Sequence, residues 1–93
     1  MADPIYRADP PSARRVVAIE GLALAYHRPS GLTHILAPPA PELLDVLGEG
    51  EADAGMLLER LARDHEVEAD EDARAEVEAR LAELETAGLV WRA

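Results

Sequence analysis

The hydrophobic pattern of this 93-residue chain changes its period at a cluster of prolines, and this change determines the order of its elements. Before the cluster, the pattern is strand-like, with a short β-branched run at 16–19, an alternating run at 22–27 and a third run at 32–36. Two turn signals, Glu20-Gly21 and Arg28-Pro29-Ser30-Gly31, separate these runs. The pattern therefore predicts three antiparallel strands.

After the prolines at 38–41, the apolar residues recur at helical spacing. A leucine stripe over 43–47 predicts a first helix that begins in a proline-containing turn. Asp53 and Asp70 are placed as N-caps of a second and a third helix, and Gly88 fits the left-handed position after the third. The sequence thus predicts an α+β fold, a three-stranded antiparallel sheet followed by three helices, with the outline of a winged helix-turn-helix domain.

The strand register follows from the second turn, which pairs His27 with Leu32. This register predicts one apolar face, taken as the core face, made of Leu22, Leu24, Tyr26 and Ile35. The opposite face carries His27 and His34 as diagonal neighbours at roughly 7 Å, close to the spacing that a shared metal could bridge. Because no third ligand is evident, we expect solvent-exposed or hydrogen-bonding histidines and no metal site.

The net charge of −10 is concentrated in one segment. Residues 1–41 carry +1, residues 42–85 carry −12 and residues 86–93 carry +1. Since phosphate contacts dominate affinity for duplex DNA, an acidic helical half argues against nucleic acid as a partner. The acidic run at 66–72 lacks the residue order of a calcium loop.

The chain offers little catalytic chemistry. It has no cysteine, no Gly-x-Ser-x-Gly elbow and no glycine-rich phosphate loop. We therefore predict no catalytic residue, no cofactor and no enzymatic activity.

The first fifteen residues show no periodicity and contain three prolines, which predicts a flexible N-terminal arm over 1–15 and one domain over 16–93. No run of 18 apolar residues is present, and a basic region leading into an apolar one is missing from the N-terminus. These features predict no membrane span and no secretory signal, and thus a cytoplasmic location.

Three motifs follow one another in a recognisable order. They are Gly31-Leu32-Thr33-His34-Ile35-Leu36-Ala37-Pro38, the leucine groups Leu43-Leu44-x-x-Leu47 and Leu57-Leu58-x-x-Leu61, and the ending Leu81-x-x-Leu84-x-x-x-Gly88-Leu89-Val90. From about Val16 to Trp91, the chain resembles the PqqD family. Its third-strand motif resembles the branch associated with a kinase related to HPr kinase, although Ala37 stands where the family often has Asn.

The resemblance implies a non-catalytic peptide chaperone, similar to the recognition elements of enzymes that modify ribosomally made peptides. Such domains hold a precursor's leader peptide as an added strand beside the third strand, in a groove against the third helix, and present it to a modifying enzyme. By position, the strand side would be Thr33, His34, Ile35 and Leu36, and the helix side Arg74, Val77, Arg80, Leu81 and Leu84.

Other interpretations of these residues remain open. Val77, Leu81 and Leu84 also fit a core stripe, and the two arginines could pair with acids at helical spacing. The alternative function is a regulatory protein-interaction subunit of a kinase-related system without peptide presentation; a winged-helix DNA-binding protein is less favoured. An uncovered edge strand also permits a homodimer.

Overall fold

The computed structural model describes residues 3–93 and contains the predicted three-stranded antiparallel sheet followed by three helices. Two further short strands form a second sheet. In chain order, the elements are β1 (Tyr6–Ala8), β2 (Arg14–Ile19), β3 (Leu22–His27), β4 (Leu32–Leu36), α1 (Ala40–Leu47), α2 (Ala54–Asp64), α3 (Glu71–Thr86) and β5 (Val90–Arg92). The α+β prediction is therefore confirmed.

The main sheet has the order β2-β3-β4, and its register is the predicted one. His27 pairs with Leu32 and therefore fixes every later pair of the β3–β4 ladder. In the β2–β3 turn, Glu20 and Gly21 have φ values of 47° and 82°. Positive φ at both central residues is what a two-residue type I′ hairpin requires.

The buried face of this sheet is the opposite of the predicted one. Ala23, Ala25 and Leu36 are buried, whereas Leu22 and Ile35 are exposed. The core is filled by leucines from the helices, so the sheet contributes mainly small side chains where those helices pack against it. The prediction of a core face made of Leu22, Leu24, Tyr26 and Ile35 was wrong.

The segment expected to be an arm contains regular structure from residue 6. β1 pairs antiparallel with β5, and Tyr6 is buried and also pairs with Ala52. The Ala93 N–H donates to the Ile5 carbonyl at 2.8 Å, which joins the two ends of the described chain. The aromatic ring of Tyr6 packs in the core and so helps to hold β1 in place. Residues 1 and 2 of the predicted arm lie outside the described residues.

The helix ends follow the predicted signals. The Asp53 carboxylate accepts a hydrogen bond from the Met56 N–H at 2.8 Å, and Asp70 accepts one from Ala73 at 2.7 Å. Gly88 has a φ of 79° just after α3. Among residues 3–93, no helix combines the length and the apolar character needed to cross a membrane.

Candidate functional site

The outer side of β4 is a free strand edge. β4 bonds to β3 on one side, and no strand within residues 3–93 pairs with its other side. Bonded and non-bonded pairs alternate along an antiparallel ladder. Next to the β2–β3 ladder, the Arg28 N–H donates to the Ala13 carbonyl at 2.8 Å, so the even-numbered residues of β3 bond to β2. Odd-numbered residues of β3 therefore bond to β4, which leaves the N–H and C=O groups of Thr33 and Ile35 facing away from the sheet.

A cleft of about 190 Å³ lies between β4 and the C-terminal half of α3. Its strand side and floor come from β4 and the start of α1, and its helix side comes from α3. The lining residues are His34, Ile35, Leu36, Ala37, Ala40, Arg80, Glu83, Leu84 and Ala87. The cleft is therefore bordered along one side by the strand whose outer edge is free.

Two nitrogen atoms in this cleft are buried without a hydrogen-bond partner, His34 Nε2 and Arg80 Nε. Arg80 Nη2 lies 3.3 Å from Glu83 Oε1, but its Nε lies 3.8 Å from Glu76 Oε1, which is beyond hydrogen-bond distance. An unmet buried donor costs about 1–3 kcal/mol. An acceptor that reached Arg80 Nε would remove this cost.

The structure brings together five of the nine predicted site residues. His34, Ile35 and Leu36 line the strand side of the cleft, and Arg80 and Leu84 line its helix side. The remaining four do not line it.

Those four residues lie elsewhere for identifiable reasons. Thr33 is exposed and has its side chain on the outer face of the sheet, so only its main chain lies at the edge. Val77 and Leu81 are fully buried in the core, as their alternative interpretation required. Arg74 lies near the N-terminal segment, 3.3 Å from Asp3, and its Nε donates to Glu78 at 3.1 Å, one of the pairings considered from the sequence.

Sequence reasoning missed four lining residues, Ala37, Ala40, Glu83 and Ala87. Three of them are alanines, which leave room for the cleft but carry no chemical signal of their own. Glu83 could have been found, because it lies three residues after Arg80 and therefore on the same side of α3.

A second polar cluster joins the N-terminal segment to the β3–β4 turn. His27 is buried; its Nε2 lies 2.7 Å from Asp9 Oδ2, and its Nδ1 lies 2.8 Å from Ser30 Oγ. This is the residue set of a hydrolase triad, but Ser30 Oγ also accepts from the Leu32 N–H at 3.3 Å. The contacts of Ser30 are those of a hydroxyl that closes a turn, so the cluster ties three segments together.

Arg14 extends this cluster toward α1. Its guanidinium donates to the carbonyls of Asp9 at 3.1 Å and of Leu44 at 2.8 Å. Burial lowers the pKa of Arg14, and the nearby carboxylates of Asp9 and Asp45 oppose this shift. These bonds fix the start of β2 against the first helix.

The two histidines lie on the same face of the sheet, as predicted, but in different surroundings. His27 belongs to the Asp9 cluster, whereas His34 faces the cleft. Within residues 3–93, no three side chains of His, Cys, Asp or Glu are grouped so that they could hold a metal ion.

A larger open groove, about 520 Å³, lies beside β1 and the end of α1. Arg7 stacks over the Trp91 ring there, with 5.3 Å between the guanidinium carbon and the ring centroid. Neither His34 nor Arg80, the residues with the two unpaired buried nitrogens, lines this groove. The smaller β4–α3 cleft is therefore the better candidate site.

No known protein family model matches the chain, and neither does any curated protein or solved structure.

Proposed function

We propose that this protein is a peptide-binding adaptor that holds an extended peptide as an added strand along β4. The observation that carries the proposal is the free edge at Thr33 and Ile35 next to a cleft with two unpaired buried nitrogens. Main-chain bonds to a strand edge supply affinity for any extended peptide, and side-chain pockets beside the edge supply selectivity.

The two sides of the cleft have different roles in this proposal. The exposed Ala37 and the partly buried Ala87 offer small apolar side chains to an aliphatic residue of the peptide. Arg80 offers its unpaired Nε–H to an acceptor, such as a carbonyl or carboxylate oxygen, and His34 Nε2 can donate or accept according to its tautomer. A peptide with an aliphatic residue and an acceptor-bearing residue at suitable spacing would contact the apolar side chains and also bond to the unpaired nitrogens.

The sequence resemblance to the PqqD family suggests the origin of such a peptide. A precursor peptide whose leader segment is held along β4 could be presented to a modifying enzyme, with the adaptor itself performing no chemistry. A role as a protein-interaction subunit of a kinase-related system would use the same edge without presenting a substrate.

A protein partner suits this molecule better than DNA. In α2, Arg60 donates to the carbonyls of Val46 at 3.2 Å and Gly50 at 2.8 Å. Arg63 is bonded to Asp64 and Glu49. Both arginines of the second helix are thus already engaged, in a segment with a net charge of −12 over 42–85.

The proposal can be tested by displaying random dodecapeptides and selecting binders to the full chain. We expect enriched peptides to shift the backbone amide resonances of Thr33 and Ile35 in NMR titrations, together with the Arg80 Nε–H signal. Failure to enrich any peptide, or shifts confined to other regions, would refute strand addition at β4.

A matched pair of variants separates edge binding from general damage. Ile35→Pro removes an outward-facing N–H from β4, and Ala18→Pro removes the corresponding outward-facing N–H from β2 at the other edge of the sheet. We expect the first to abolish binding and the second to leave it unchanged. Equal losses in both variants would argue against a site at β4.

A further inference from the structure

The face of the main sheet that points away from the helices is apolar and uncovered. In the register, Val17, Leu24 and Ile35 form one row across the three strands, and Ile19 and Leu22 form the next. Tyr26 extends the patch on the following row. We call this set the outer sheet face: Val17, Ile19, Leu22, Leu24, Tyr26 and Ile35.

Most side chains of this face are exposed to solvent. Five of the six side chains are between 41% and 70% exposed, and Leu24 is half-buried. Together they amount to an apolar area on the order of 500 Å², the size of the largest patch on a typical monomer, which is often functional. The outer sheet face therefore has the character of an interaction surface.

Opposite charges lie at the two ends of this face. Glu20 is in the β2–β3 turn at one end. At the other end, Arg15 lies on the same row as Tyr26, and Arg28 continues the same face one row further. About five residues of strand separate Glu20 from Arg15, which corresponds to roughly 17 Å.

This pattern is complementary to itself. If two copies pack face to face about a two-fold axis perpendicular to the strands, the strands of the copies run in opposite directions. Glu20 of each copy then meets the Arg15 and Arg28 end of the other, while the apolar rows meet in the middle. A two-fold axis along the strands would instead bring like charges together.

The distribution of the remaining charge favours the same arrangement. The segment that contains the main sheet carries +1 over 1–41, whereas the segment that contains the helices carries −12 over 42–85. The helices pack on the inner face of the sheet. Contact through the outer sheet face thus puts the two acidic helical layers on the outside of the dimer, where their repulsion is weakest.

We infer that a second copy of this chain binds the outer sheet face, with antiparallel strands and Glu20 of each copy paired with the arginine end of the other. Two such faces bury on the order of 1,000 Å² in total, at the low end of specific interfaces. The dimer is therefore weak and dissociates at micromolar concentrations. The free edge of β4 stays open, so the dimer presents two peptide sites.

The first test is sedimentation equilibrium of the full chain over concentrations from about 1 μM to 1 mM, which spans the expected dissociation constant. We expect a reversible monomer–dimer equilibrium that Val17→Asp shifts to monomer. Ala79→Asp, an exposed position on α3, adds the same charge and should leave the equilibrium unchanged. A monomer at every concentration, or equal effects of both variants, would overturn the inference.

The second test decides the orientation by exchanging charges. Glu20→Arg and Arg15→Glu each place like charges together in a homodimer, so each variant alone should dimerise about tenfold more weakly. Mixing the two restores both pairs, because Arg at position 20 of one meets Glu at position 15 of the other. Failure of the mixture to recover the parent affinity would show that the antiparallel arrangement is wrong.

A further variant distinguishes face packing from pairing of β4 edges. Thr33→Pro removes an outward-facing N–H from the edge of β4 but none of the six side chains of the outer sheet face, so it should leave dimerisation largely intact. Loss of the dimer in Thr33→Pro together with its retention in Val17→Asp would overturn the inference in favour of edge pairing. These experiments use no peptide, so their outcome is independent of the proposed peptide binding.

Discussion

The orientation of the main sheet can be tested by two substitutions with opposite expected effects. Ala25 is completely buried on the inner face, whereas Ile35 is 70% exposed on the outer sheet face. Ala25→Leu forces three extra carbon atoms into a filled core, and overpacking of this kind costs about 1–3 kcal/mol. Ile35→Thr keeps a β-branched residue at an exposed position, where substitutions usually stay within about 0.5 kcal/mol.

These free energies correspond to measurable shifts in melting temperature. For a domain of this length, each 1 kcal/mol lowers the midpoint by about 4–8 °C, so Ala25→Leu should lower it by at least about 4 °C. Ile35→Thr should change it by no more than about 4 °C. Circular dichroism melts at low micromolar protein, where the proposed dimer is dissociated, are the appropriate assay.

The reverse result would refute this assignment of the faces. If the large residues Leu22, Leu24, Tyr26 and Ile35 were inside, Ala25→Leu would add an exposed side chain at little cost. Ile35→Thr would then replace a buried side chain by a smaller, polar one. A destabilisation of Ile35→Thr by about 1–3 kcal/mol together with a neutral Ala25→Leu would therefore show that the sheet packs by its other face.

Three further predictions concern the contacts that hold the elements. His27→Ala leaves the Asp9 carboxylate without its partner and should lower the free energy of unfolding by about 1–3 kcal/mol in a denaturant titration; an unchanged midpoint would contradict the linking role of this cluster. Asp70→Ala removes the N-cap of α3 and should cost about 1 kcal/mol, whereas Asp72→Ala, which removes no cap, should cost less; equal losses would argue against capping. The hydrogen bond from Arg63 holds the pKa of Asp64 below its usual 3.8. This pairing therefore stabilises the fold at pH values above the unfolded-state pKa of Asp64. Its contribution is lost as the pH falls through the folded-state pKa. In an NMR titration, an Arg63→Gln variant should raise the pKa of Asp64 toward 3.8, and an unaltered value would exclude the pairing.

Much of the fold could be predicted because its signals are local. The Glu20-Gly21 turn needs positive φ at both residues, and the N-caps need a carboxylate three residues before the N–H that they bind. The β3–β4 register follows from the length of a single turn. None of these features depends on what the rest of the chain does.

The orientation of the sheet could not be predicted because it depends on packing between distant elements. Both faces of β3 are apolar, one with leucine and tyrosine and the other with alanine and histidine. Larger side chains usually mark the core, but here the helices fill the core with their own leucines. The face with the smaller side chains therefore packs against the helices, and the face with the larger side chains is left exposed.

The candidate site was predicted in part for a similar reason. The resemblance pointed to β4 and α3, and both do border the cleft. The resemblance could not say which turn of α3 faces β4. Arg74 and Arg80 are six residues apart, so they lie on different sides of the helix, and only Arg80 lines the cleft. The unpaired state of Arg80 Nε depends on its distance from Glu76, which only coordinates reveal.

The pairing of β1 with β5 also bears on the order in which the chain folds. Joining residues 6–8 to residues 90–92 closes a loop of about 80 residues, whereas the β2–β3 hairpin closes one of two. The entropy lost on closure grows with loop length, and pairings between distant residues are slow to form. We therefore expect the small sheet to form after the β2–β3 hairpin.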